Sequence, residues 1–182
     1  GYGLYGPVEE VKIDDARYQF NVNLFGLAEL TQLVLPHMRA QKTGLIINTS
    51  SMGGKIYTPL GAWYHATKHA VEGFSDCLRL ELKEFGINVV VLEPGLIDTG
   101  FAAGVQHHFP EGSAEGPYGK IVKSLMKGIE ITEDTLMLDE IHEVGPGGHF
   151  MDTEQTLCRF RDFWYPDLLD RGRREQWLAA GA

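Results

Sequence analysis

Apolar positions near the start of the chain recur at intervals of three and four. Phe20, Leu24, Leu27 and Leu30 fall on one such line, and Ala28, Thr31 and Leu35 on another. That is the period of an amphipathic helix. The stretch "IDDARYQFNVNLFGLAELTQLVLPHMRAQK" therefore predicts one long helix over about 14–41, with Asp14 as its N-cap. Pro36 should kink it or end its regular part, because an interior proline removes a hydrogen bond at a cost of roughly 3 kcal/mol. After "QKTG" the period changes. "GLIINTSS" is a short β-branched run between turn residues and predicts a buried strand at 44–49. Val71, Phe74, Leu78, Leu82 and Phe85 return to helical spacing, giving a second helix over about 62–85 closed by Gly86. "INVVVLEPG" is the next strand, and its apolar run without alternation predicts a parallel sheet covered on both faces. The opening "GYGLYGPVEEV" is a Gly/Pro-rich loop. Helix, strand, helix, strand in that order indicates an α/β fold.

The texture then alters twice. Residues 96–127 are rich in Gly, His and Pro and predict a long loop with a helical end near "YGKIVKSLMKG". Loops of that length commonly act as lids. From Ile129 onward, helical stretches are split by "GPGGHF" and "YPD", with no internal repeat. Charge follows the same division. Residues 1–128 carry 11 Lys/Arg against 13 Asp/Glu, a net of −2, while 129–182 carry 5 against 12, a net of −7.

A total charge of −9 over 182 residues argues against a nucleic-acid partner, whose phosphates are bound mainly by Lys and Arg. It also disfavours an anionic membrane surface. No apolar run approaches the ~20 residues needed to span a bilayer. Two cysteines, Cys77 and Cys158, make no disulfide framework, so a reducing cytoplasm is the expected setting. Cys77 falls within a helical apolar pattern and is expected to pack as a small hydrophobe. His107, His108, His142 and His149 lack zinc-site spacing, and no metal is expected. The first residue is Gly, which points to a recorded sequence that begins inside a longer one.

Chemistry concentrates in "SSMGGKIYTPLGAWYHATKHA", residues 50–70. Tyr64 and Lys68 stand four apart on a predicted helix and share a face. A free phenol, with a pKa of about 10, is a poor proton carrier near neutrality. A neighbouring ammonium stabilises phenolate and should draw that pKa toward the working range. Ser51 can then hold a substrate oxygen against the phenol. Such a site lacks only a hydride donor.

With these pieces, residues 1–127 resemble the C-terminal half of a short-chain dehydrogenase/reductase. The initial "GYG" is similar to the end of that family's Asn-Asn-Ala-Gly loop, "NVNLFG" to the helix carrying its active-site asparagine, and "INTSSMGG" to its serine segment. "YHATK" and "EPGLIDT" resemble its Tyr-x-x-x-Lys motif and its Pro-Gly-x-Ile-x-Thr segment. The resemblance implies a Rossmann-like, doubly wound parallel sheet and hydride transfer between NAD or NADP and an alcohol or carbonyl compound. It implies Tyr64 as proton donor or acceptor, and Lys68 as the group that lowers the tyrosine pKa and binds the nicotinamide ribose. Ser51, at the family's usual interval before the tyrosine, would orient substrate, and Asn23 would hold a relay water. Pro94, Gly95, Ile97 and Thr99 would close on the nicotinamide. It implies, too, a homo-oligomer built on the helices at 14–41 and 62–85.

Two departures stand beside the resemblance. The glycine-rich turn that seats a pyrophosphate on a helix N-terminus is absent from the sequence, so the nucleotide-binding half is expected to be missing. The strand at 44–49 would then lose a neighbour on one side. From about 129 the chain instead resembles the end of the trimethylamine methyltransferase family, in "EITEDTLMLDEIHEVGPGGHF" and "TEQTLCRFRDFWYPDLLDR". That family moves a methyl group from a methylamine or betaine to a corrinoid protein on a barrel of ~250 residues, which this segment is too short to form. The expected organisation is a partial domain over 1–127 and a mainly helical tail over 128–182, in place of the family's last helix and strand. Two other readings are an inactive fragment that acts through association and a methyltransferase-related piece.

Overall fold

The computed structural model describes residues 1–95, 101, 104–105, 109–133 and 149–151. Its sheet has three parallel strands in the order β1–β2–β3: β1 (Gly44–Thr49), β2 (Ile87–Glu93) and β3 (His149–Met151). β1 and β2 pair from Gly44 opposite Ile87 to Thr49 opposite Leu92. Parallel neighbours need a crossover, and α3 (Ala62–Leu82) provides it.

The predicted first helix is continuous in direction but not in hydrogen bonding. α1 (Ile13–Phe20) passes into a π-helical turn at Asn21–Phe25 and then into α2 (Gly26–Gln41). The cap differs from expectation. Lys12 occupies the N-cap position without a side-chain bond, and Asp14 lies in the first turn, paired with Arg17 at 2.8 Å. A carboxylate there still favours the positive end of the helix dipole. Pro36 does not end the helix, which runs five residues further to Gln41. Leu35 and Met38 on either side of it pack on the core and hold that turn in place.

The core lies between the sheet and these helices. Ile46, Ile87 and Val89 from the strands meet Leu78 and Leu82 of α3, with Leu35, Met38 and Phe74 against them. Val71 is fully buried, while Phe85 at the end of the predicted stripe is 39% exposed. The last turn of α3 tightens into a 3-10 turn at Lys83–Phe85, and Gly86 ends it at φ 68°. A side chain at Gly86 would also strike the carbonyl of Lys42 at 2.6 Å, so this C-cap needs glycine twice over.

Three expectations are corrected. β1 is not a buried strand: it stands at the sheet edge with Leu45 and Ile47 each 53% exposed. β2 alternates between buried and more open positions instead of being covered on both faces. Both follow from helices packing on one face only among the described residues. Cys77 points outward and is free, because it lies off the line of Val71, Leu78 and Leu82.

The segment after the predicted loop also differs from expectation. α4 (Gly119–Glu133) confirms the helix around "YGKIVKSLMKG". Beyond it, β3 pairs in parallel with β2, His149 opposite Val91. Of the described residues beyond 133, His149–Met151 form this strand, which was not predicted. The rest of 128–182 lies outside the described residues. No helix among the described residues is long and apolar enough to cross a membrane.

Candidate active site

The site gathers where β1 and β2 end, the edge at which parallel α/β sheets place their ligands. Ser51 follows β1, Pro94 and Gly95 follow β2, and α3 brings Tyr64 and Lys68 across them. Ser51 sits in extended backbone, φ −173°, as the N-cap of a 3-10 turn, Met52–Gly54. Its hydroxyl accepts from Gly53 N at 3.0 Å and faces the Pro94 carbonyl at 3.5 Å. Its hydroxyl also acts on the Tyr64 phenol, pulling the phenol pKa down. Ser50 turns the other way, buried, its hydroxyl 3.5 Å from the Lys68 carbonyl.

Tyr64 and Lys68 are 6% and 7% exposed. The Lys68 ammonium donates to the Thr49 carbonyl at 3.1 Å and lies 5.8 Å from the centroid of the Tyr64 ring. Burial lowers the Lys68 pKa to about 8, against a partial offset by the Glu72 carboxylate. Tyr64 departs from expectation. Its pKa is raised, because burial outweighs the Ser51 hydrogen bond that pulls it down. Tyr5 and Phe101 close on the phenol, with ring centroids 5.7 and 5.5 Å away. Burial thus keeps the phenol in its neutral form.

Asn23 is the buried residue of the π-helical turn. A π turn carries an extra residue, which shifts the helix face. Here it directs the Asn23 amide toward the opening segment. Its Oδ1 accepts from Tyr2 N at 3.0 Å, while Nδ2 donates to the Tyr2 carbonyl at 3.0 Å and to Thr67 Oγ1 at 3.1 Å. Gln19 adds a bond to the same carbonyl at 3.0 Å. Asn23 thereby fastens the opening segment to α3 one residue from Lys68.

Tyr5 and His65 join the site without having been singled out from the sequence. The Thr58 amide donates to His65 Nε2 at 3.0 Å, which makes Nε2 an acceptor. Nδ1 then carries the proton and donates to the Gly53 carbonyl at 2.9 Å. Burial lowers the His65 pKa, partly offset by that Gly53 bond, so the ring stays neutral and clasps the serine loop to α3. Gly53 permits the approach, since a Cβ there would sit 3.0 Å from both His65 and Tyr64. The adjacency of His65 to Tyr64 was the only trace in the sequence. Of the remaining predicted residues, Pro94 and Gly95 end β2 as expected, whereas Ile97 and Thr99 lie outside the described residues, as do His107, His108 and His142. Among the described residues no group of three His, Cys, Asp or Glu could hold a metal.

The depressed Lys68 pKa fixes the sign of a stability change. Below about pH 8 both folded and unfolded chains are protonated at this position, and the full cost of burying the charge is felt. Between there and the unfolded value of 10.5 the unfolded chain binds more protons, so stability rises with pH. The total rise is about 3 kcal/mol. Lys68→Met is expected to remove the part of that rise between about pH 7 and about pH 9.5, read from urea midpoints at each pH. A variant with the wild-type slope would show that Lys68 is not the titrating group.

Comparison with known proteins agrees with this geometry. The short chain dehydrogenase family matches residues 1–109, and the trimethylamine methyltransferase family matches residues 85–182. An uncharacterised oxidoreductase of Schizosaccharomyces pombe is 40% identical over 113 residues, which cover 61% of this chain and 48% of that protein. The chain thus spans about half the length of such relatives. A short chain dehydrogenase/reductase of Burkholderia phymatum, crystallised with NAD, superposes with a TM-score of 0.62 at 26% identity, covering 76% of this chain and 50% of that one. A gluconate 5-dehydrogenase of Burkholderia cenocepacia, crystallised with NADP and tartrate, gives 0.54 at 32% identity, covering 56% and 40%. The Rossmann-like α/β fold is shared with both. Through its first part the chain belongs to the short chain dehydrogenase family, and through its second to the trimethylamine methyltransferase family.

Proposed function

We propose that residues 1–127 form the catalytic part of an oxidoreductase that interconverts an alcohol and a carbonyl compound with NAD or NADP. The observation that carries this reading is the burial of Tyr64 and Lys68 together on α3, the ammonium 5.8 Å from the phenol ring, at the strand end that Ser51 follows. The residues present fit the nicotinamide and ribose end of such a cofactor. Lys68 commits a proton to Thr49 and, as an ammonium, has two more to give. Gly1 leaves the approach to Asn23 and Lys68 open, since a Cβ there would lie 2.6 Å from the Asn23 amide oxygen and 3.7 Å from Lys68 Nζ. Pro94 and Gly95 would border the nicotinamide, a part the family resemblance assigns also to Ile97 and Thr99, which lie outside the described residues. The described residues contain no glycine-rich turn for the pyrophosphate.

When bound, the cofactor supplies the hydride that the substrate carbon gains or loses. Tyr64 supplies the proton. In reduction its hydroxyl donates to the carbonyl oxygen as the carbon accepts hydride, and the phenolate left behind is stabilised by the Lys68 ammonium. Ser51 holds the substrate oxygen against Tyr64. Asn23, fastened to Tyr2 and Thr67, would hold the water through which Lys68 is reprotonated. The rings of Tyr5 and Phe101 cover the phenol and keep bulk water from it, which strengthens these charge interactions. Alcohol oxidation runs the same proton path backwards.

The proposed organisation is a partial dehydrogenase domain over 1–127 followed by a tail over 128–182, in a cytoplasmic setting. A homo-oligomer accompanies it. Tyr18, Phe25, Leu30 and Leu33 on the first helices and Leu80 on α3 are all more than half exposed, more large apolar surface than a monomer comfortably shows to water. The open edge of β1 adds unpaired backbone groups. Size-exclusion chromatography with light scattering is expected to show a species larger than the 20.3 kDa monomer; a stable monomer would rule out this association.

Turnover gives the functional test. With NADH or NADPH and a panel of ketones, any reductase activity of the chain is expected to fall by at least about a hundredfold in Tyr64→Phe. That substitution leaves the ring packing intact and removes only the proton donor. Unchanged turnover in the variant would eliminate the acid–base role.

A further inference from the structure

The His65 ring is enclosed between two glycines. A Cβ at Gly61 would lie 2.7 Å from Nε2, and one at Gly53 would lie 3.0 Å from Nδ1. Both ring nitrogens find partners in the space so left. Nδ1 donates to the Gly53 carbonyl at 2.9 Å. Nε2 accepts from the Thr58 amide at 3.0 Å, with the Thr58 hydroxyl 2.9 Å away. The residue is only 6% exposed, so water competes little for these bonds. One side chain of α3 thereby holds both ends of the loop 53–58.

The near end of that loop leads to Ser51. Gly53, whose carbonyl His65 holds, gives its own amide proton to Ser51 Oγ at 3.0 Å. A serine hydroxyl has one proton and two lone pairs. With one lone pair committed to Gly53, the proton turns away from that amide. It faces the Pro94 carbonyl at 3.5 Å, a long bond that a substrate oxygen can displace. That carbonyl already accepts from the Met52 amide at 2.9 Å, which fixes the other side of the turn. Ser51 is thus prepared as a donor for as long as Gly53 keeps its place, and His65 supplies the side-chain bond from α3 that keeps it.

We propose that His65 is a positioning residue: through Gly53 it holds Ser51 in the one rotamer that presents its hydroxyl proton to the substrate oxygen. It touches neither substrate nor cofactor. The neutral ring with its proton on Nδ1 is the form that does this. A second proton would make Nε2 a donor facing the Thr58 amide, and of its two Thr58 partners only the hydroxyl could then accept. The titratable groups facing the ring among the described residues are Tyr5, Tyr64 and His69, whose Nδ1 lies 2.9 Å from the His65 carbonyl. Burial and His69 both favour the neutral ring. The inference rests on the role given to Ser51 above, but its test needs no turnover, so the two can fail separately.

The experiment reads the Ser51 rotamer from three-bond Hα–Hβ couplings in the serine-labelled full chain, its signal identified by loss in Ser51→Ala. Long-range nitrogen-15 NMR follows the His65 ring in parallel. At neutral pH the wild type is expected to show one Ser51 rotamer and a proton on Nδ1. His65→Phe fills the space without the nitrogens, and the single rotamer is expected to be lost to averaging while the spectrum stays dispersed. Ser124, whose hydroxyl bonds within α4, should not change. His65→Asn returns a donor to the place of Nδ1 and is expected to restore the rotamer. A fixed rotamer in folded His65→Phe, an averaged one in the wild type, or no restoration by His65→Asn would each overturn the proposal. Should His65→Phe unfold, acid takes its place: the wild-type couplings are expected to average as the ring protonates, at a midpoint below the ordinary 6.5. A rotamer that stays fixed beside a charged ring would overturn the proposal. A ring still neutral when acid unfolds the chain, together with unfolding by His65→Phe, would do so too, by making His65 a part of the fold alone.

Discussion

A lysine ammonium held almost out of water is the constraint around which the rest of this structure is arranged. Lys68 can be buried because its charge is met by the Thr49 carbonyl at the end of β1 and by the Glu72 carboxylate one turn along α3. Each of these depends on α3 lying across the strand ends, and that placement is set by Leu78 and Leu82 packing on Ile46, Ile87 and Val89. The hydrophobic core therefore positions the helix, the helix positions the charge, and the charge defines what Tyr64 can do. A buried ammonium without those partners would simply lose its proton.

Around that charge the chain uses small, specific devices to bring loops close. The π-helical turn aims Asn23 at the backbone of Tyr2, and three hydrogen bonds follow from it. His65 clasps the loop after Ser51 through both ring nitrogens. Lys55 ties that same loop to α3 and to the end of β2. The result is a site whose polar groups are oriented by partners of their own, while Tyr5 and Phe101 shut the phenol away from solvent. Orientation before reaction is worth more than affinity in such a site.

The sequence showed some of this and concealed the rest, for physical reasons. Tyr64 and Lys68 were legible because helical periodicity is local: residues four apart share a face whatever surrounds them. Helix 62–82 and its Gly86 stop were legible on the same ground. Burial was not, because it depends on what packs against an element. "GLIINT" and "NVVVL" have the composition of strands covered on both faces, yet Leu45 and Ile47 are open to water. Cys77 fitted the apolar pattern of α3 and still points outward. The π turn leaves no trace in periodicity short of a structure, and the pairing of His149 with Val91 joins residues too distant in sequence for any local signal. The raised Tyr64 pKa belongs with these. A neighbouring lysine predicts a lowered value, and only three-dimensional burial reveals that desolvation prevails.

The central claim is that this chain holds the nicotinamide end of a dinucleotide site around Lys68 and Tyr64. Saturation-transfer NMR on the full chain with NADH tests it most directly, because it reads which protons of a weakly bound ligand touch the protein. The account predicts strong transfer to the nicotinamide ring and its ribose, weak transfer to adenine, and loss of the pattern in Lys68→Met. Transfer dominated by adenine, or identical spectra from wild type and Lys68→Met, would contradict it.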